Sequence, residues 1–256
     1  MAERRPSVER FFAQHAKGYA KSQSHAYGSD LDALVGALKP RKTEVALDVA
    51  TGTGFTAVSL ARLVKRVVGV DLTSEMLAEA RQFAGSQRAR NVTFEIGDAL
   101  KLKHPDSSFD IVTTRRATHH FADVPRFVQE AKRVLKPGGR LGIVDMAPPN
   151  GAERFTNRIE TLRDGSHVKA FTPEAWKSMV SRAGLRITSS DVLDEHISFE
   201  KWLYPVESGG KEEKAVRAAW GSASPTTRRL LKADFAGDEI RGWTKSRIIL
   251  IASRTS

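Results

Sequence analysis

The stretch that most constrains this 256-residue chain is Val45-Ala46-Leu47-Asp48-Val49-Ala50-Thr51-Gly52-Thr53-Gly54. A short apolar run passes directly into a turn of small residues, and residues 55–64 then read as a helix. An apolar run followed by a helix fits a strand buried on both faces of a parallel sheet. The unit recurs. Arg66 to Val70 is a β-branched run ending at Asp71, with a helix over 74–84 behind Thr73. Val92 to Ile96 and Phe109 to Thr114 read as third and fourth strands. A helix over 124–135, capped by Asp123 with Pro125 just inside, is amphipathic through Phe127, Val128, Ala131 and Leu135. Lys136-Pro137-Gly138-Gly139 stops it, and Leu141 to Val144 is a fifth strand. Strands and helices alternating at this spacing predict a doubly wound, mostly parallel α/β sheet with right-handed crossovers.

The flanks are less regular. Residues 7–20 predict a helix with Val8, Phe11, Phe12 and Ala16 on one face, and 30–38 a second, opened by Ser29 as N-cap and closed before Pro40. Beyond Asp145, helices are expected at 151–164 and from Thr172-Pro173-Glu174 to Gly184. A strand opens at Leu185 to Ile187, a charged helix covers 211–233, and Ile248 to Ala252 is a terminal strand. With no linker rich in Pro, Gly or Ser, 1–256 reads as one domain. Its parts are a helical cap (1–40), a core (41–146) and a cover with the terminal strands (147–256).

Cysteine is absent, which excludes disulfides, thiolate–zinc sites and cysteine nucleophiles. No stretch approaches the ~20 apolar residues of a membrane span, and the first ten residues carry no signal-peptide core. A soluble, cytoplasmic protein without a membrane span is expected. The net charge is +11. Its basic residues are scattered (Arg4 and Arg5, Arg62 to Arg66, Arg115 and Arg116, Arg228 and Arg229) and no aromatics interleave with them. That reads as a solubility or field effect, and a nucleic-acid partner is not expected. A homodimer is left open.

Gly52-x-Gly54-x-x-Ala57 fits the G-x-G-x-x-A form of a dinucleotide-binding turn. Glycines there let the backbone turn tightly and approach a ligand. Asp48 lies four residues before Gly52 in an otherwise apolar strand. Buried and unpaired, it would cost several kcal/mol. Either loop amides satisfy it or it receives an ammonium group. A dinucleotide offers phosphates at such a loop; S-adenosylmethionine offers an ammonium and no phosphate. Asp71, 17 residues after Gly54, can accept both hydroxyls of a ribose from either cofactor. Gly97-Asp98-Ala99 ends the third strand, where Asp98 either accepts from an adenine amine or caps the next turn.

Five segments in order, Val45 to Gly54, Val68 to Met76, Phe94 to Ala99, Phe109 to Val112 and Leu135 to Val144, resemble the class I S-adenosylmethionine-dependent methyltransferases. The likeness is closest to the ubiquinone/menaquinone C-methyltransferase-like branch of small-molecule enzymes. It implies a doubly wound, mostly parallel seven-stranded sheet, the Rossmann-like methyltransferase fold, with N-terminal helices and a helical insertion before the last strand. The terminal hairpin would use residues near 185–198 and 245–252, with 201–235 inserted between them. The resemblance further implies that Ala50, Thr51, Gly52, Thr53 and Gly54 wrap the methionine part of the cofactor. Asp71 would hold the ribose, with Leu72 and Met76 beside the nucleoside. Gly97, Asp98 and Ala99 would meet the adenine edge, and Thr114 and Arg115 the methionine end. Ala50 departs from the family's usual glycine.

A sulfonium methyl is already activated, so such an enzyme mainly supplies proximity, orientation and exclusion of water. His119 and His120 follow the fourth strand and are the candidate catalytic pair, to orient or deprotonate an acceptor; no metal site is expected. Arg163, Ser166 and His167 form a second polar group on the acceptor side. Tyr19, a candidate cofactor contact, forms a third with Ser22 and His25. Three other readings compete: an RNA or protein methyltransferase, a nicotinamide-dependent oxidoreductase, and a non-catalytic S-adenosylmethionine- or nucleic-acid-binding domain.

Overall fold

A computed structural model describes residues 8–20, 28–204, 206 and 208–255, apart from the Tyr19 side chain. Ser22 and His25 lie outside the described residues. Two helices come first, α1 (Val8–Ala20) and α2 (Ser29–Leu38). Next come β1 (Val45–Val49), α3 (Phe55–Ala61), β2 (Arg66–Asp71), α4 (Ser74–Ser86), β3 (Val92–Ile96) and β4 (Phe109–Arg115). A 3₁₀ turn at Thr118–His120 leads into α5 (Val124–Val134), β5 (Leu135–Met146), α6 (Glu153–Arg163) and α7 (Pro173–Arg182). The chain ends with β6 (Leu185–Ser198), α8 (Phe199–Leu203), α9 (Lys211–Gly221), α10 (Pro225–Leu230), β7 (Asp234–Ala236) and β8 (Glu239–Arg254).

The sheet order is β3-β2-β1-β4-β5-β8-β6. The first five of these strands run parallel; β8 is antiparallel to both β5 and β6. Order reverses between β1 and β4, and open α/β sheets bind ligands beyond the strand carboxyl ends at such a point. Alternate residues of β1 go to opposite layers. Leu47 and Val49 join Val112, Phe127, Leu141 and Trp176 on the α5 and α7 side, while Ala46 joins Leu34, Leu38, Leu60 and Ile111 on the α2 and α3 side. Each large side chain so buried is worth roughly 1.5–3 kcal/mol relative to exposure. A third cluster, with Trp202, Trp220 and Trp243, sits where α6, α8 and α9 pack against the start of β8.

Four local expectations change. The seven-stranded path is present, and β7, a three-residue eighth strand, pairs with β8. The helix expected over 211–233 is two helices, because Pro225 begins a new one and Ser224 Oγ caps it by accepting from Thr227 N at 3.1 Å. α2 starts at Ser29 itself; Gly28 is the N-cap and no side chain caps that end. The fifth strand begins at Leu135, six residues early, and its register against β4 shifts between Phe109 and Ile111 so that the Pro-Gly-Gly stretch is absorbed. Among the described residues, no helix is long and apolar enough to cross a membrane.

Candidate active site

A cavity of about 330 Å³ opens at the carboxyl ends of β1 to β4, within the ~300–1,000 Å³ of small-molecule sites. Asp48, Ala50, Thr51, Gly52, Thr53, Asp71, Leu72, Met76, Gly97, Asp98, Ala99, Arg115 and His120 all line it. Gly54, Thr114 and His119 do not. Gly54 shapes the turn as N-cap of α3 with φ 83°, and Thr114 is buried in β4. Tyr19 is helical in its backbone, but its side chain lies outside the described residues.

The glycine loop is held by carboxylates. Asp48 accepts from Thr51 Oγ1 and from Thr113 Oγ1, each at 2.7 Å. Hydroxyls, not loop amides, satisfy it. Burial raises its pKa to about 6, against the pull of those two bonds. Asp71 accepts from Gly52 N at 2.8 Å and Thr73 N at 3.0 Å, one on each oxygen. Its pKa is raised by burial, partly offset by these amides. Gly52 has φ +54°, and a Cβ there would meet no protein atom within 4 Å, so the backbone faces open space. Ala50 adopts the same left-handed region at φ 54°. That is why glycine suits this position, and holding alanine there costs roughly 1–2 kcal/mol. Asp98 is exposed and spends one oxygen on Leu100 N at 2.8 Å.

Arg115 and Arg116 turn away from the role of free cations. Asp30, buried in α2, accepts from Arg115 Nη2 at 3.2 Å and from Arg116 Nε at 2.6 Å. Burial alone would lift the Asp30 pKa, but the two guanidinium groups outweigh it and hold it at about 2.

The histidine corner lies beside the cavity. His119 Nδ1 is 2.5 Å from Asp145 Oδ1, and Thr118 Oγ1 donates to the other oxygen of that buried carboxylate. Burial pushes the Asp145 pKa up, yet His119 and these hydrogen bonds hold it well below the usual carboxylate range. His120 faces the cavity with Nδ1 at 3.1 Å from both the carbonyl and the hydroxyl of Ser166. Burial, reinforced by His119, holds its pKa well below the usual histidine value. His167 packs 5.6 Å from the His119 ring, and its Nε2 donates to Asn157 Oδ1 at 2.8 Å. Burial and His119 lower its pKa to about 4. Arg163 stands apart, on Glu160 at 3.1 Å.

Sequence reasoning missed Asp30, Asp145, Asn157 and Asp164; it expected a helical cap over 1–40 but did not single out Val8 and Phe12 of α1 as the residues that join the lining. Asp145 carried a usable signal: like Asp48, it is an acid closing an apolar strand.

The methyltransferase domain family matches residues 47–143. Methyltransferase YcgJ of Bacillus subtilis is 34% identical over 219 residues, covering 85% of this chain and 87% of that one. The chain belongs to the methyltransferase family. The crystal structure of YcgJ superposes on this methyltransferase with a TM-score of 0.84 at 30% identity, over 89% of this chain and 98% of that one. The demethylmenaquinone methyltransferase of Deinococcus radiodurans is 47% identical over 105 residues, 40% of this chain and 43% of the relative. The segment matched by the family holds Asp48, Asp71, Asp98 and both adjacent histidines of the methyltransferase. Asp145, Asn157, Asp164, Ser166 and His167 fall outside it.

Proposed function

We propose that the enzyme binds S-adenosylmethionine in this cavity and methylates a small-molecule acceptor in the cytoplasm. One observation carries the reading: Asp48, Asp71 and Asp98 surround the glycine loop, while the two nearby arginines are engaged by Asp30. Carboxylates repel the pyrophosphate of a dinucleotide and suit a ligand that has an ammonium, a ribose diol and an adenine amine. Each Asp71 oxygen uses one lone pair on a backbone N–H and keeps another for a ribose hydroxyl. Asp98 keeps an oxygen for an N–H donor. Leu72, 46% exposed at the rim, offers an apolar surface to a base. The residues fit the group.

When bound, S-adenosylmethionine supplies a methyl group on a sulfonium, already activated toward a nucleophile. The chain's own part is positional. Loop 50–54 brings its backbone against the ligand, Asp48 sets a negative charge beneath it, and Phe12 and Val8 of α1 close the cavity against water. His120 borders the acceptor side, with His119 packed behind it. The Deinococcus relative is named for the methylation of demethylmenaquinone, which supports a small organic acceptor.

The test is calorimetry with S-adenosylhomocysteine and with NAD. The first is expected to bind and the second not. Asp71→Ala should weaken binding of the first by about 1.5–3 kcal/mol, as for a hydrogen bond to a charged group. Binding of NAD in place of S-adenosylhomocysteine would overturn the reading.

A further inference from the structure

The two adjacent histidines are held by opposite arrangements, and proton counting separates them. Their rings lie 4.1 Å apart. His119 gives its Nδ1 to the Asp145 carboxylate directly, and it lies off the cavity lining. His120 meets Ser166 instead. Ser166 Oγ donates its only proton to Asp164 Oδ1 at 2.6 Å, and the same oxygen accepts from Ser166 N at 2.8 Å. The hydroxyl can therefore only accept from His120, as can the Ser166 carbonyl. Both partners demand a proton on His120 Nδ1. In the neutral ring, Nε2 then carries a lone pair. Among the described residues Nε2 makes no hydrogen bond, and it is not sealed among buried unpaired atoms; His120 is part of the cavity wall.

Resting on the methyltransferase reading above, we propose that His120 Nε2 accepts the proton of a hydroxyl group on the methyl acceptor, with Ser166 and Asp164 as positioning residues that fix the tautomer. A hydroxyl is the acceptor group that uses such a lone pair. Its oxygen must lose a proton as it gains the methyl, whereas an amine attacks through its own lone pair and a carbon acid makes no hydrogen bond of this kind. In the step, the acceptor oxygen forms its bond to the methyl carbon while the carbon–sulfur bond breaks. The sulfonium leaves as a thioether, the hydroxyl proton passes to Nε2, and Nε2 later releases it to water. The neutral ring also spares the site a second cation beside the sulfonium. The charged and titratable groups around His120 are His119 on its own turn, Asp145 from β5, and Asp164 and His167 from the segment after α6; Phe12 of α1 closes the remaining side, its ring 4.8 Å away and edge-on.

The experiment has a readout that needs no turnover. With S-adenosylhomocysteine bound, long-range ¹H–¹⁵N spectra of the histidine rings are expected to show His120 protonated at Nδ1 and bare at Nε2, unchanged down to pH 5.5, about one unit below the usual histidine pKa. Asp164→Ala frees the Ser166 hydroxyl to donate and leaves the Ser166 carbonyl as the one fixed acceptor, so the preference for a proton on Nδ1 should weaken without reversing. His120→Asn keeps a donor for Ser166 but has no atom at Nε2. It should bind S-adenosylhomocysteine as the parent does, yet transfer a ¹³C-methyl group from S-adenosylmethionine to a metabolite extract about 10²–10⁴-fold more slowly. The labelled product of the parent should show an O–CH₃ carbon. A proton on His120 Nε2, a charged ring at pH 5.5, undiminished transfer by His120→Asn, or an N- or C-methyl product would each overturn the proposal. Parent protein that fails to bind S-adenosylhomocysteine would instead overturn the function on which it rests.

Discussion

The rim around the glycine loop and the corner around the histidines are both polar clusters at the same edge of one sheet, but they are assembled at different ranges. On the rim, Asp48 reaches Thr51 and Asp71 reaches Thr73 within three residues and Asp98 reaches Leu100 within two, and to these local bonds are added Asp71 to Gly52 across 19 residues and Asp48 to Thr113 across 65. At the corner, His119 meets Asp145 across 26 residues and His120 meets Ser166 across 46. The local part of the rim forms wherever its strand-turn-helix unit forms, and the rest once β1, β2 and β4 pair. The corner exists only after β5 is docked and the segment beyond α6 has folded back over it. The rim should therefore carry ligand affinity with little bearing on stability, and the corner should carry stability with little bearing on cofactor affinity.

The largest expected effect tests the rim. Gly52→Val puts a branched side chain into the open space at a left-handed φ of +54°. Affinity for S-adenosylhomocysteine should fall by more than about 100-fold, near 3 kcal/mol, while circular dichroism and melting stay close to the parent, within the ~1–2 kcal/mol of backbone strain. Normal titration of the variant would break the comparison at its first term.

Next in size is Asp145→Asn at the corner. Removing this charge from its Thr118 and His119 partners should lower stability by about 1.5–3 kcal/mol at pH 7, with cofactor affinity unchanged. Because the folded-state pKa of Asp145 is depressed, its contribution is present above the ordinary carboxylate value and lost as pH falls through the folded value. The deficit of the variant should hold from pH 8 to about 5 and shrink below about 4. Chemical denaturation across that range reads it; a deficit that grows toward acid pH would contradict the assignment.

The smallest effect returns to the rim. Ala50→Gly relieves a left-handed alanine at φ 54°, while glycine also gives the unfolded chain more freedom. A net gain of about 1 kcal/mol or less, a rise in Tm of about 2–4 °C, is expected. Cofactor affinity should not move. A fall in Tm would mean that the loop gains nothing from glycine where the family usually has it.

The same difference in range explains what could be read from the residues alone. The parallel strands, the glycine turn and the acids closing β1, β2 and β3 follow local pattern, and the cavity gathers them. The adjacent histidines could be picked out, but not their unequal partners, because nothing near His120 in the chain points to Ser166. Asp30 was invisible for the same reason: its arginines lie 85 and 86 residues away. The break at Ser224-Pro225 is a different kind of miss. A capping serine before a proline is a local helix start, and the charge pattern of 211–233 masked it.

The pairing of α2 with the end of β4 bears on where this chain can be cut. The segment that matches the family begins at residue 47, after α2 has ended. Yet the Leu34 Cδ1 atom lies only 2.7 Å from where a Cβ on Gly142 would sit, and Arg140 Nε donates to the Leu38 carbonyl at 2.9 Å. An excised fragment starting at residue 44 would bare a greasy stripe across one face of the sheet and strip two guanidinium groups of their carboxylate at the mouth of the cavity. The stretch matched by the family is thus shorter than the stretch that covers this face of the sheet, and anyone shortening this chain for expression or fusion should keep α2 attached.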